Sequence, residues 1–398
     1  MRNAKMLIAV AALIMVLPLT AFSDTHTWTG ETSEYWDVAT NWVDDSLPEN
    51  GDTLNFVSSM TRYTSNNNSY MSTVDKIEFD PDEPFTLSGS ALTYSGPGDD
   101  TIIQSTSQNT LISLDYSGSN SNNYIDVAAG QITFQGTVST GTPGMTFRPN
   151  GSGKIIIGGP IGGSTVTMSG SGTLEINYND ATYTGATTVN NGTLDIKSND
   201  ISSSSSTSVG HATNHPVLKG AGTVGVLNIT SNGTVSPGNS VGTMNAGNTT
   251  WDQDGIYQWE INDADGTAGT DPGWDLLDIT GGLTVAATSG NTFEIEIVSL
   301  NGTSPGNCAD FDNSQNYTWK IATASGGVSG YSADKFSLES SGFTNDTGVG
   351  FFSVSQTGND VNLVFTAVPE PSTYFLFGLG LFGMVVGGLR RFRKKITV

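Results

Sequence analysis

Short runs of residues that alternate between apolar and polar recur along most of the chain. The segments 76–79, 111–114 and 131–134 show this pattern, and turn-forming residues lie close to each of them. Alternation with a period of two between turns is typical of half-buried β-strands. The chain is therefore predicted to be all-β between residues 24 and 367, with single helices only at the two termini.

A repeat of about twenty residues lies in the middle of the chain. Gly172-Thr173-Leu174 returns as Gly192-Thr193-Leu194, and weaker copies of the unit begin at Gly222, Gly233 and Gly242. A period of this length suits one coil of a parallel β-solenoid, in which each coil buries its apolar residues against the next. We predict a solenoid core over residues 74–247.

The repeat unit, with Tyr183-Thr184-Gly185 at its centre, closely resembles the autotransporter-associated β-strand repeat. The turn from Ser236 to Ser240 is similar to one that often ends that region. A true autotransporter ends in a membrane barrel of many strands of about 10 residues each. This chain instead ends in one apolar segment and a basic cluster, so the resemblance covers the repeat and not the export route.

Residues 24–73 contain three tryptophans among turn-forming residues. Trp28, Trp36 and Trp42 precede Pro48 and Gly51-Asp52, an order similar to the start of many bacterial surface proteins with such repeats. Clustered tryptophans can stack on sugars, or they can plug the open end of a stack of strands. We favour the plug and predict an N-terminal aromatic cap.

After Gly247 the predicted strands become longer and follow one another at hairpin spacing. The segments 292–300, 317–323 and 361–365 are examples. This pattern predicts an antiparallel, sandwich-like β region over residues 248–367.

The N-terminus has the pattern of a secretory signal peptide. Two basic residues precede an apolar run over residues 6–19, and Ala21 and Ser23 are small residues at the positions that a signal peptidase recognises. The alternative is a membrane anchor, but the run is short for a span of about 20 residues. We predict a signal peptide over residues 1–23 and a mature chain that begins at Asp24.

The C-terminal segment combines three features in a fixed order. Val368 is followed by Pro369-Glu370-Pro371, then by an apolar stretch over residues 374–389. A basic cluster comes next: Arg390, Arg391, Arg393, Lys394 and Lys395. As a helix the stretch would be about 24 Å long, enough for a transient anchor. The basic cluster is expected to stay in the cytoplasm, so the bulk of the chain would lie outside.

This segment, residues 368–398, resembles a PEP-CTERM sorting signal, with Pro369-Glu370-Pro371 at the position of the motif. The resemblance implies processing by an exosortase-type membrane protease or transpeptidase. It also implies transient anchoring in the inner membrane and a final location at the cell surface or outside the cell. The alternative is a plain C-terminal anchor.

The charge of the chain is strongly acidic. It has 15 Lys and Arg residues against 38 Asp and Glu residues, and seven of the basic residues lie in the two terminal segments. The exported part therefore carries a formal charge near −30. Such a surface repels nucleic acid and favours divalent cations or basic partners.

Candidates for catalysis are few. Glu175 and Asp195 could supply the two carboxylates of a glycosidase, but they occupy equivalent positions of the repeat and are predicted to be solvated strand residues. Cys308 is the only cysteine, which excludes an intramolecular disulfide.

Candidates for metal binding are equally weak. His211 and His215 have the spacing of zinc ligands on a helix, but they lie in a loop-like segment without a third ligand. The Asp-Gly turns that begin at Asp252 and Asp263 lack the oxygen ligands that an EF-hand requires. Ordinary turns are predicted there, with irregular calcium binding as the alternative.

We therefore expect no catalytic site, no cofactor and no metal site, and a protein that is not an enzyme. The expected function is structural, in an acidic exported protein of the cell surface or of an exopolysaccharide matrix, sorted by its C-terminal signal. The alternative is a carbohydrate-binding or polysaccharide-degrading β-solenoid, because this fold also hosts those activities.

Overall fold

The structure, a computed structural model, describes residues 23–96, 100–118, 123–139, 141, 144–180 and 182–368. The described residues form 40 short strands in four sheets. Their helical elements are three single turns of 3₁₀-helix, Ala39–Asn41, Val43–Asp45 and Ala333–Lys335. The prediction of an all-β parallel solenoid is confirmed.

Sheet I runs the length of the solenoid, and all neighbouring strands in it are parallel. Its strands, in sheet order, are Thr25–Thr27, Thr53–Val57, Lys76–Asp80, Asp100–Gln104, Tyr124–Val127, Met145–Pro149, Thr165–Met168, Ala186–Val189, Ser206–Val209, Leu227–Ile229, Thr249–Trp251, Leu283–Val285 and Val328–Ser329.

Sheet II forms a second face. Its parallel strands are Thr64–Asn67, Phe85–Gly89, Asn109–Ile112, Gln131–Phe134, Lys154–Ile157, Thr173–Ile176, Thr193–Asp195, Val217–Gly220, Thr234–Pro237, Ile256–Ile261, Phe293–Asn301 and Phe336–Glu339. Three two-residue strands pair at its edges, Thr267–Ala268, Gly273–Trp274 and Ser304–Pro305.

The third face is divided between two sheets. Sheet III contains Thr73–Val74, Leu92–Tyr94, Tyr116–Gly118, Val138–Ser139 and Ile161–Gly162. Sheet IV contains Asp200–Ile201, Thr223–Val224, Thr243–Ala246, Leu276–Ile279, Tyr317–Ala324, Asp360–Thr366 and Phe351–Thr357.

The core consists of apolar side chains stacked in register from coil to coil. On sheet II, Leu174 faces Ile155 on one side and Leu194 on the other, and Leu194 in turn faces Leu218. All four side chains are buried. Because neighbouring strands lie about 4.8 Å apart, each side chain covers the next, and one repeat position fills a whole column of the core.

Glycine is required at the corner that opens the repeated unit. Gly192 has a φ of +63°, and a Cβ there would lie 2.4 Å from the carbonyl oxygen of Gly170. Only a residue without a side chain allows the backbones of successive coils to approach this closely. This geometry explains why the unit begins with glycine.

The three tryptophans close the N-terminal end of the core. Trp28, Trp36 and Trp42 are buried, and the ring of Trp42 lies edge-on to the other two, with ring centroids 5.1 and 6.0 Å apart. All three contact Phe56 of the first full coil. Their indole N–H groups donate to protein oxygens. These rings form a plug and offer no open face to a sugar.

Parallel stacking continues beyond residue 247, where the sequence predicts a change to antiparallel strands. Ile256–Ile261 pairs in parallel with Phe293–Asn301, which pairs in parallel with Phe336–Glu339. Among the described residues, long antiparallel pairing is limited to the strands Tyr317–Ala324, Phe351–Thr357 and Asp360–Thr366. The antiparallel region is therefore smaller than predicted. The sequence could not show this, because side chains alternate with a period of two in parallel and in antiparallel strands alike.

Among the described residues, none of the helices has the length and apolar character that crossing a membrane requires. The apolar stretch predicted over residues 374–389 and residues 1–22 of the signal peptide lie outside the described part.

Leu194→Ala tests the columnar core. The substitution removes a fully buried side chain between Leu174 and Leu218, and we expect a loss of about 2–5 kcal/mol in the free energy of unfolding. Urea unfolding followed by circular dichroism measures this loss. Thr193→Ala, at the neighbouring outward-facing position, is the control and should change stability by less than about 1 kcal/mol. Equal losses in the two variants would contradict the assignment of inward and outward faces.

Candidate functional sites

Two carboxylates and three lysines form a ladder across four strands of sheet II. Lys154 Nζ lies 2.7 Å from Glu175 Oε2, and Lys197 Nζ lies 3.2 Å from the same oxygen. Lys197 Nζ also lies 2.8 Å from Asp195 Oδ2, and Lys219 Nζ lies 3.8 Å from it. Along this chain of contacts, cation and anion alternate in the order Lys154, Glu175, Lys197, Asp195 and Lys219.

The register of the strands produces this ladder. Glu175 lies directly opposite Asp195, and Asp195 lies opposite Lys219. Two carboxylates on adjacent strands repel each other unless a cation lies between them. Lys197 supplies that cation, and its φ of +52° belongs to the turn immediately after the strand Thr193–Asp195. The ladder is a cross-coil ion-pair network on the outer face.

The prediction that Glu175 and Asp195 are solvated is wrong. Only 6% of Glu175 and 3% of Asp195 is exposed. The aliphatic stems of long lysine side chains can cover neighbouring groups while the amines remain near water, and the three lysine side chains here are 34 to 38% exposed. Strand alternation correctly predicts that the two side chains point outward. It does not predict that lysine side chains of neighbouring coils bury them.

The hydrogen bond with Asp195 raises the pKa of Lys197 above its ordinary value, and Glu175 adds to the effect. A group whose pKa is raised on folding contributes stability that is complete below its unfolded pKa. The contribution is lost as the pH rises through the folded pKa. The contribution of Lys197 is therefore complete at neutral pH and is lost in alkaline solution.

A buried aspartate connects the two halves of the third face. Asp180 accepts hydrogen bonds from the backbone N–H groups of Ile161, Thr182 and Tyr183 at 2.5 to 3.2 Å. Its own N–H donates to the carbonyl of Asp200 at 2.9 Å. Ile161 belongs to the last strand of sheet III and Asp200 to the first strand of sheet IV. One residue thus links the two sheets, through its side chain on one side and its backbone N–H on the other.

The tyrosine of the repeat fills the corner beside this aspartate. Tyr183 is buried, and its hydroxyl donates to the carbonyl oxygen of Ala186 at 2.6 Å. Burial raises the pKa of Tyr183 to about 12. The ring remains neutral and serves as packing, which gives the Tyr-Thr-Gly centre of the repeat a structural explanation.

A second buried carboxylate, Asp275, was not anticipated from the sequence. Its two oxygens accept hydrogen bonds from the N–H groups of Gly242 and Glu260, at 2.8 and 3.0 Å. Burial raises its pKa well above the ordinary value, and the charge of Glu260 adds to the effect. Asp180 and Asp275 both accept hydrogen bonds from backbone N–H groups of another coil. These partners are distant in sequence, so they become apparent only in the folded structure.

The other candidate residues show no common metal centre. Among the described residues, no three His, Cys, Asp or Glu side chains are close enough to hold a metal ion. His211 and His215 are both exposed and lie in an irregular segment, so they do not share a helix face. Asp252 and Asp263 accept hydrogen bonds from the N–H groups of Gln253 and Asp265, as in ordinary aspartate turns.

Few of the sequence-predicted sorting residues lie in the described part of the chain. Val368 is 43% exposed and follows the strand Asp360–Thr366. Ser23 and Asp24 are described and exposed. Ala21, Pro369-Glu370-Pro371 and the basic cluster over residues 390–395 lie outside the described residues.

Two protein families match parts of the chain. The Passenger-associated-transport-repeat matches residues 166–196, which include Glu175, Asp180, Tyr183 and Asp195. The PEP-CTERM protein-sorting motif matches residues 367–391. This chain carries a PEP-CTERM motif and a passenger-type repeat. The motif is a substrate signal for exosortase-type processing, and it marks an exported protein that passes through a membrane-anchored form. No curated protein matches the chain.

Lys197→Met tests the ladder. It removes the central cation and leaves two buried carboxylates with one lysine each, so we expect a loss of about 1–2 kcal/mol in the free energy of unfolding at pH 7. Lys320→Met is the matched control, because Lys320 pairs with Asp360 at a more exposed position. Its loss should be at most about 1 kcal/mol. A larger loss in the control than in Lys197→Met would contradict the structural role of the ladder.

Asp180→Asn tests the connection between the third-face sheets. An amide has one acceptor oxygen in place of two, so at least one backbone N–H loses its partner. We expect a loss of about 2–4 kcal/mol in the free energy of unfolding. Asp346→Asn serves as the control, since Asp346 is exposed and accepts one hydrogen bond, from the N–H of Gly348. Equal urea midpoints for the two variants would refute the role assigned to Asp180.

Proposed function

We propose that this protein is an exported structural component of the cell surface or of an extracellular exopolysaccharide matrix. The observation that carries the proposal is the position of the PEP-CTERM motif. The motif begins at residue 367, immediately after the last strand of the solenoid, Asp360–Thr366. The folded body and the sorting signal are thus adjoining parts of one chain.

The shape of the folded body suits a spacer. Sheet I stacks 13 strands, and at about 4.8 Å between neighbours this gives a rod about 60 Å long. Apolar columns and buried hydrogen bonds connect each coil to the next, so the rod has few points at which it can bend. A rod of this kind separates whatever is attached at its two ends.

The surface charge supports a matrix role. All six lysines of the exported part form ion pairs within the protein or contact its backbone: Lys76, Lys154, Lys197, Lys219, Lys320 and Lys335. Acidic residues far outnumber these lysines, so most carboxylates are available to solvent and to binding partners. A strongly acidic rod attracts divalent cations and basic groups, and it stays soluble through self-repulsion.

A structural role without catalysis also suits the carboxylates of the repeat. Glu175 and Asp195 would have to give up their lysine partners before either could act as a general acid, a base or a nucleophile. The plug tryptophans are buried as well, which disfavours a sugar-binding platform at the N-terminal end. The carbohydrate-active alternative therefore receives less support than the structural one.

Replacing Pro369, Glu370 and Pro371 together by alanine tests the sorting step. Proline is disfavoured in the interior of helices and sheets, and a membrane-embedded protease needs a segment free of both. The variant should stay in the membrane fraction with its basic tail attached, whereas the unmodified protein should reach the surface with a lower mass. Cell fractionation and intact mass spectrometry in a host with an exosortase measure both properties.

The control for this experiment is Ser340→Ala combined with Ser341→Ala, two exposed positions between strands. This control should be sorted like the unmodified protein. If the triple-alanine variant reached the surface at the normal mass, the segment over residues 368–398 would be a plain anchor and the sorting proposal would fail.

A further inference from the structure

A nearly buried carboxylate lies beside the predicted start of the mature chain. Asp52 is 8% exposed, and its Oδ2 accepts a hydrogen bond from the backbone N–H of Glu49 at 2.8 Å. His26 Nε2 lies 3.1 Å from the same oxygen. The other oxygen, Oδ1, accepts a hydrogen bond from the backbone nitrogen of Asp24 at 3.0 Å. Asp52 therefore accepts hydrogen bonds from two backbone N–H groups and lies beside a ring nitrogen of His26.

Strand pairing fixes the backbone nitrogen of Asp24 in this position. The N–H of Thr53 donates to the carbonyl oxygen of Asp24 at 2.8 Å, and Thr25 lies in register with Thr53. These contacts involve atoms on the C-terminal side of the Asp24 nitrogen. They survive if the bond between Ser23 and Asp24 is cut.

We propose that Asp52 is the binding site for the α-ammonium group that forms when the signal peptide is removed before Asp24. This inference rests on the export described under the proposed function and on the signal-peptide cleavage before Asp24 that the sequence predicts. Water hydrolyses the amide bond between Ser23 and Asp24, which leaves a carboxylate on Ser23 and an ammonium group on Asp24. The new charge forms 3.0 Å from Asp52 Oδ1, where the neutral amide stood before.

Cleavage changes the strength of this contact. In the precursor the Asp24 nitrogen is a neutral donor, and in the mature chain it is a cation. The acceptor is a carboxylate in both forms, so what cleavage adds is the Coulomb attraction between the new cation and Asp52. Removal of the signal peptide therefore strengthens the attachment of the first strand of sheet I to the loop that carries Asp52.

The strengthened contact is connected to the aromatic plug through His26. His26 lies in the strand Thr25–Thr27, and its ring contacts Trp42 edge-on with centroids 6.3 Å apart. Its Nδ1 lies 3.0 Å from the carbonyl oxygen of Ser46. The α-ammonium, Asp52 and His26 thus form one connected group at the edge of the plug. Maturation and closure of the N-terminal end become linked.

The test uses the full chain, exported from a bacterial host and purified after signal-peptide removal. One variant carries an Ala-Ser insertion between Ser23 and Asp24, which moves the α-ammonium two residues away and restores a neutral amide at Asp24. The insertion is made in the unmodified chain, in Asp52→Asn and in Asp45→Asn. Asp45 is exposed and has a φ of +54°, which asparagine tolerates, so it is the matched control for loss of one negative charge.

Hydrogen–deuterium exchange of residues 25–28 and 53–57 measures the strength of the contact, with residues 276–285 as an internal reference. The insertion should speed exchange about fivefold in the unmodified chain and in Asp45→Asn. It should have no further effect in Asp52→Asn. An equal effect of the insertion in all three backgrounds, or none in the unmodified chain, overturns the proposal.

A second measurement covers the case in which Asp52→Asn does not fold. At pH 7 the α-amine of the unmodified chain should react with an amine-selective acylating reagent several-fold more slowly than the α-amine of the insertion variant. Equal reactivity overturns the proposal. A mature chain that mass spectrometry shows to begin elsewhere than Asp24 also overturns it, although export would stand. Failure of export would refute the proposed function instead, and the contact could still be tested in a chain made to begin at Asp24.

Discussion

The structure depends on the parallel, in-register stacking of coils, because a single coil cannot bury its own apolar residues. Leu194 is covered from both sides only because Leu174 and Leu218 occupy the same position in the coils before and after it. This constraint explains the glycine at the corner of the unit and the need to close both ends. The tryptophan plug closes one end. At the other, Phe311, Phe343, Phe352 and Phe365 pack against one another.

The same constraint decides where charge can be placed. Stacking in register puts equivalent residues of successive repeats about 4.8 Å apart, so an acid at one outward position meets the acid of the next coil. Glu175 and Asp195 meet in this way, and Lys197 lies between them as a counter-charge. Where the third face lacks a strand, Asp180 receives the backbone donors that a strand would have satisfied. Polar residues of the repeat thus stabilise the same stacking of coils that brings them together.

The sequence was sufficient for the fold class, the repeat and the sorting motif, because each follows from a local pattern. Alternation identified the strands, and the return of Gly-Thr-Leu identified the coil. The burial of Glu175, the role of Asp180 and the contact between Asp24 and Asp52 depend on partners 19 to 28 residues away, in another coil or at its edge. Alternation also could not distinguish parallel from antiparallel strands, so the extent of stacking after residue 247 was underestimated.

We propose that this acidic rod is carried to the membrane, separated from its basic tail and left outside the cell. The intact mass of the protein recovered from the cell surface or the matrix tests this claim most directly. The account predicts a chain that begins at Asp24 and lacks the basic cluster over residues 390–395. A recovered mass that includes the basic cluster would contradict it.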